Sequence, residues 1–244
     1  KDAPDFVPAW IRKFRVFSEQ KARDIEYFVC DDVETLVYLA SLGTIPPHVW
    51  SSRVATIQHP DWCILDLDPK GAPILHVVAL ARLIKRLADE VGLPALCKTS
   101  GASGLHVLIP LGAQCTYEQS RSLAQLLAWE LTRERGDIAT IARSLRDREG
   151  KVYVDFLQNV HGQLLVSPFS VRPLPGAPVS TPLRWSEVHD GLDPKRFTIR
   201  TVPARLDGIE GRIDFAPLDW PPADELRLND IAHVRLRLGG EISA

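Results

Sequence analysis

The sequence predicts a mixed α+β fold (α/β mixed), with strands and helices interspersed and mixed sheets. Two segments carry this expectation. Trp62 to Asp68 is a short apolar run broken by two acids and bounded by Pro60 and Pro69, the mark of a strand. Pro73 then opens a stretch that puts Val77, Leu80, Ala81, Ile84, Leu87, Ala88 and Val91 on one helical face. The two periodicities alternate along the chain instead of segregating into halves, and no internal repeat is found.

The remaining elements follow in order. Asp31-Asp32-Val-Glu34 leads into Thr35 to Leu42 and stops at Gly43, a helix with Asp31 as its expected N-cap. Gly92 and Pro94 end the long helix that Pro73 opens. Ala95 to Lys98 and Leu105 to Ile109 read as strands on either side of a tight Ser-Gly-Ala-Ser-Gly turn. Thr116-Tyr-Glu-Gln119 is a capping-box pattern, and the helix it opens runs to about Arg135. Val152 to Gln158 and Leu164 to Pro168 read as a hairpin turning through Asn159 to Gly162. Pro173, Pro175, Pro178 and Pro182 then mark an extended segment.

Composition narrows the class. Hydrophobic residues make up 45% and charged residues 25% of 244, the balance of an ordinary globular chain. No apolar run is long enough to span a membrane, and Lys1-Asp2-Ala3-Pro4 has no secretory character, so a cytoplasmic location is expected. The chain opens on Lys1 and holds no methionine, as a piece cut from a longer product would. Its four cysteines are scattered without zinc-ribbon spacing. The net charge of −2 speaks mildly against a strong nonspecific DNA binder. The stretches Arg143 to Lys151 and Lys195 to Arg205 are locally basic, with solvated surface charge as the plain alternative.

The chemistry concentrates in Ile64-Leu65-Asp66-Leu67-Asp68-Pro69. Residues two apart on a strand share a face, so Asp66 and Asp68 point the same way while Leu65 and Leu67 point into a core. Two carboxylates about 5 Å apart repel by roughly 3 kcal/mol at an effective dielectric of about 20. A hard divalent cation relieves that repulsion, whereas two solvated acids at a strand end are the bland reading. Asp155 sits similarly among Val154, Phe156 and Tyr153, where an acid needs a metal or an arginine partner. In Lys98-Thr99-Ser100-Gly101-Ala102-Ser103-Gly104-Leu105-His106, two glycines allow close backbone approach to phosphate, and Ser100 and His106 add donors. Arg172 follows a strand and could reach a phosphate with its planar fork.

Taken together these stretches resemble the polymerase domain of bacterial ligase D, a branch of the archaeo-eukaryotic primases. The matching segments are Asp66-Leu-Asp68-Pro69, Thr99-Ser-Gly to Gly104-Leu-His106, and Val152-Tyr-Val-Asp155-Phe-Leu-Gln158-Asn159. Ser167-Pro-Phe-Ser-Val-Arg172, Gly176-Ala-Pro-Val-Ser180 and Ile45-Pro-Pro-His48-Val-Trp50 fit as well. The resemblance implies a primase-like core with RRM-like sheets flanked by helices over residues 1–205, with 206–244 as a peripheral tail. It implies Asp66, Asp68 and Asp155 as ligands of two divalent ions, Mn²⁺ or Mg²⁺. His48, Ser100, His106, Arg146, Gln158 and Arg172 become nucleotide-binding residues. The implied activity is addition of nucleotides, ribonucleotides above all, to 3′ ends at gaps or breaks with a 5′-phosphate. Ku and a ligase module are the implied partners in non-homologous end joining, and the nucleoid the implied location.

The resemblance has two departures. Ser103 stands where several relatives carry Lys, and relatives have a further segment ahead of the position of Lys1, one that helps grip the template. Two rival functions remain in view. A D-x-D phosphohydrolase would need Thr or Val where Lys70 stands, and a non-catalytic nucleic-acid or nucleotide-binding relative would not need all three acids.

Overall fold

Two adjacent aspartates open the first helix, and the second of them is the one that caps it. The computed structural model describes residues 2–18, 21–148 and 150–207, so the predicted tail lies outside the described residues from 208 onward. The chain divides into two compact units between Ile45 and Pro46.

In the first unit, β1 (Lys13–Ser18) and β2 (Arg23–Phe28) pair antiparallel, a hairpin the sequence reading left unassigned. Ile25 is buried while Phe17 stays exposed, so the alternation that would mark both strands is weak. Helix α1 (Val33–Ser41) follows. Its N-cap is Asp32, whose carboxylate accepts from the Thr35 N–H at 2.6 Å. Asp31, the expected cap, instead pairs with Arg12. Gly43 ends the helix with a φ of 71°, a value that costs glycine little.

The second unit contains β3 (His48–Val49), β4 (Trp62–Asp68), α2 (Ile74–Glu90), β5 (Leu96–Thr99), β6 (Leu105–Pro110) and α3 (Tyr117–Arg135). After them come β7 (Ala139–Thr140), β8 (Val152–Asp155), β9 (Leu165–Val166), β10 (Pro182–Leu183) and α4 (Val202–Asp207). The Thr116 hydroxyl and Gln119 side chain close the predicted capping box in both directions at α3. A six-stranded sheet runs β10-β5-β6-β4-β8-β7, antiparallel throughout except for the parallel β7–β8 pair. The expected mixed sheet is therefore present.

Alternation then sorts the two faces of this sheet. Cys63, Leu65 and Leu67 of β4, Leu105, Val107 and Ile109 of β6, and Val152 and Val154 of β8 join one buried apolar cluster. Val77, Leu80, Ile84 and Leu87 of α2 and Leu123, Leu127 and Leu131 of α3 complete it. The even-numbered residues of β4 and β6 and the odd-numbered ones of β8 take the opposite face.

The predicted hairpin of 152–158 with 164–168 does not form. β8 pairs with β4 and β7, while β9 pairs with β3. The chain leaves the sheet after Asp155 because Asn159 takes over the ladder. Its Oδ1 accepts from the Ile64 N–H at 2.8 Å and its Nδ2 donates to the Ile64 carbonyl at 2.7 Å. A side-chain amide thus mimics a strand residue, anchored further by the Ser120 hydroxyl at 3.1 Å.

Candidate active site

Strand register places four polar residues in one row across the sheet. Lys98 on β5 lies opposite His106 on β6, His106 opposite Asp66 on β4, and Asp66 opposite Asp155 on β8. Directly opposed residues hold their Cβ atoms about 4.5–5.5 Å apart, so each reaches its neighbour. Asp68 sits two residues along β4 on the same face, opposite Tyr153.

The charges in this row are strained at one end and relieved at the other. Desolvation pushes the Asp66 carboxyl up to about 7, and the Asp155 and Asp68 charges add to that rise while Lys98 and Arg172 oppose it. Burial also raises Asp155, against a Leu157 N–H bond of 2.8 Å, the Tyr153 hydroxyl, Arg143 and Arg148. Desolvation lowers Lys98 to about 7 and holds His106 well below the usual imidazole range. Asp68 is compensated: Arg148 Nη1 donates to its Oδ2 at 3.1 Å. The same guanidinium lies 4.0 Å over the Tyr153 ring and donates to the Ala142 and Arg143 carbonyls.

The glycine loop joins β5 to β6 beside this row. A Cβ at Gly104 would stand 2.2 Å from the Leu67 carbonyl oxygen, and one at Gly101, whose φ is 72°, would stand 2.7 Å from Arg172 Cγ. Both glycines are therefore required by close packing of the loop against the end of β4 and against Arg172 and Ser180. Ser100 turns inward: its hydroxyl accepts from the Ala102 and Gly104 N–H groups, both at 3.1 Å. Those two amides are thus engaged within the loop. Arg172 Nη1 donates to the Ser100 carbonyl at 3.2 Å, while its Nε is buried without a partner among the described residues. Gln158 likewise buries an Oε1 that accepts no hydrogen bond there.

Two predicted residues stand apart from this row. His48 is exposed on β3, in a separate two-stranded sheet, with Nδ1 3.1 Å from the Pro46 carbonyl. Arg146 is exposed on the 3₁₀ turn Leu145–Arg148, whereas Arg148 from the same turn reaches Asp68. The basic stretch was legible in the sequence, but the contact of Arg148 with Asp68 was not anticipated. Sequence reasoning also missed Lys98 and Ser180 as site residues, although a lysine in an apolar strand was a visible signal.

Residues 1–212 match the family model described as LigD, primase-polymerase domain. This chain belongs to that family. The LigD-type domain is 35% identical over 179 residues to the multifunctional non-homologous end joining protein LigD of Pseudomonas aeruginosa, covering 73% of this chain and 21% of that protein. It is 33% identical over 208 residues to the bifunctional LigD of Bacillus subtilis, covering 84% and 33%. The chain therefore spans between a fifth and a third of these relatives' length. Its fold is similar to the polymerase domain of Mycobacterium tuberculosis ligase D, solved in complex with DNA. That match has a TM-score of 0.81 at 23% identity over 91% of this chain and 79% of that one.

The acids of this LigD-type domain suit a hard divalent ion by donor type, and their mutual repulsion is what such an ion would relieve. As they stand, no group of three His, Cys, Asp or Glu side chains among the described residues converges tightly enough to hold one. Asp68 already accepts from Arg148 through Oδ2 and from the Lys70 N–H through Oδ1, so a cation there would share its oxygens with these donors.

Proposed function

We propose that this domain adds nucleotides to the 3′ ends of DNA at breaks and short gaps, favouring ribonucleotides. The observation that carries the reading is the unbroken row Lys98-His106-Asp66-Asp155 on the sheet face opposite the apolar cluster. Asp66, Asp68 and Asp155 hold two divalent cations, Mn²⁺ or Mg²⁺, which when bound stabilise the attacking and leaving oxygens. His106 and Arg172 contact the incoming triphosphate, and Ser100 shapes the loop beside it. The buried, unsatisfied Arg172 Nε supports a missing anionic partner there. Gln158 and His48 belong to the nucleotide pocket, and Arg146 to its basic rim.

In the transfer itself, the primer 3′ oxygen attacks the α-phosphorus, the bond to the β-phosphate oxygen breaks, pyrophosphate leaves, and the hydroxyl proton passes to solvent water. The protein's part is to hold the reactants in line and to concentrate acids where cations are needed. DNA with a 5′-phosphate, a Ku homologue and a ligase module are the partners this reading entails, with action at the nucleoid. Among the described residues no helix is long and apolar enough to cross a membrane.

The test is extension of a labelled primer on gapped, 5′-phosphorylated DNA with Mn²⁺ and either NTPs or dNTPs, beside Asp68→Ala. Extension by the unmodified chain alone, stronger with NTPs, is expected. DNA binding that persists in EDTA without extension would make this a binding-only relative.

A further inference from the structure

Lys98 is the one fully buried lysine of the site, with 0% exposure in the middle of β5. Its neighbours Cys97 and Thr99 face the other way, so Nζ is delivered to the polar face by strand alternation. Nζ lies 2.8 Å from His106 Nδ1 and 2.7 Å from Ser180 Oγ. Ser180 donates its own hydroxyl proton to the Thr99 carbonyl at 2.8 Å, so towards Lys98 it can only accept. In its ammonium form Lys98 has donors and no lone pair, so the second of its bonds makes His106 Nδ1 an acceptor. The proton of a neutral ring then resides on Nε2, the nitrogen 3.4 Å from Asp66 Oδ1.

An interior lysine held by two neutral acceptors is a costly way to fill space, and a leucine or methionine would fill the same strand position. We propose that Lys98 is a positioning residue that fixes the tilt and the Nε2–H tautomer of His106, with Ser180 as its anchor. One N–H donor then faces Asp66 at the centre of the row. The inference deepens the proposed function, resting on His106 as a triphosphate contact. Its functional consequence runs through nucleotide binding.

The test is a long-range ¹H–¹⁵N spectrum of histidine-labelled protein without metal, nucleotide or DNA. The His106 signals are assigned by their loss in His106→Asn. The unmodified chain should show Nδ1 bare and Nε2 protonated. Lys98→Met should lose that single tautomer, and its KM for nucleotide should rise about tenfold, the effect of one ordinary hydrogen bond, with kcat changing less. Ser180→Ala, a milder variant should Lys98→Met fail to fold, should raise the same KM by a smaller factor. A protonated Nδ1 in the unmodified chain, or an unchanged spectrum in folded Lys98→Met, overturns the positioning role. The predicted spectra with an unchanged KM in both variants overturn instead the reading of His106 as a triphosphate contact.

Discussion

The two faces of the six-stranded sheet are built from the same strands and obey opposite rules. On the helix-covered face, Leu65, Leu67, Val107 and Val154 are fully buried and apolar, and the packing explains every choice. One residue away along each strand, the other face sets Asp66 against Asp155 and buries Lys98 beside His106. Nothing in folding favours that second arrangement: it gathers like charges and desolvates ionisable groups. The difference teaches that the first face supplies the stability that the second face draws on. Stability and chemistry should therefore separate by residue parity within a single strand.

The sharpest way to break this comparison is to remove an acid. Asp66→Ala or Asp155→Ala should lower primer extension by at least about a thousandfold, the scale of losing a main electrostatic element. Either variant should melt at the same temperature as the unmodified protein or higher, because repulsion in the row is relieved. Parallel loss of activity and of the folding transition would show that the acids are structural.

The complementary change lies next door. Leu65→Ala should destabilise the domain by about 2–5 kcal/mol in denaturant titrations, while folded molecules keep their activity. Asn159 spans both concerns, since it closes the ladder beside Asp66 from outside β8. Asn159→Ala should cost about 1–3 kcal/mol, the range for stranding buried backbone groups, here the N–H and C=O of Ile64. The smallest effect is expected on α2 at half-buried Lys85, which pairs with Asp89 one turn on and lies 5.9 Å over the Trp185 ring. Lys85→Ala should cost about 1 kcal/mol or less, with no change in extension.

Much of this contrast could be read before any coordinates. The D-x-D pair, the long helix after it and the capping box at Thr116 all follow from local spacing, and each lies where local spacing puts it. Asp155 stood out for the same reason, as an acid among Val, Tyr and Phe. What local patterns could not supply was register. Alternation assigns a residue to a face but says nothing about its neighbour across the ladder, so the alignment of Lys98, His106, Asp66 and Asp155 emerges only from pairing. The mistaken hairpin has the same cause: strand character in 152–155 and 165–166 was legible, but not that each segment pairs elsewhere. The cap moved by one residue because Asp31 and Asp32 offer the same chemistry, and Arg12 takes the first. Arg148 shares its turn with Arg146, and only the fold decides which of the two reaches Asp68.

The central claim is that the polar face of this sheet binds divalent cations and the apolar face does not depend on them. Titration of Mn²⁺ into the isolated protein, followed by electron paramagnetic resonance, tests it most directly. The unmodified chain and Leu65→Val should bind Mn²⁺ alike, while Asp66→Ala and Asp155→Ala should lose that binding. Undiminished Mn²⁺ binding in both aspartate variants would contradict the account.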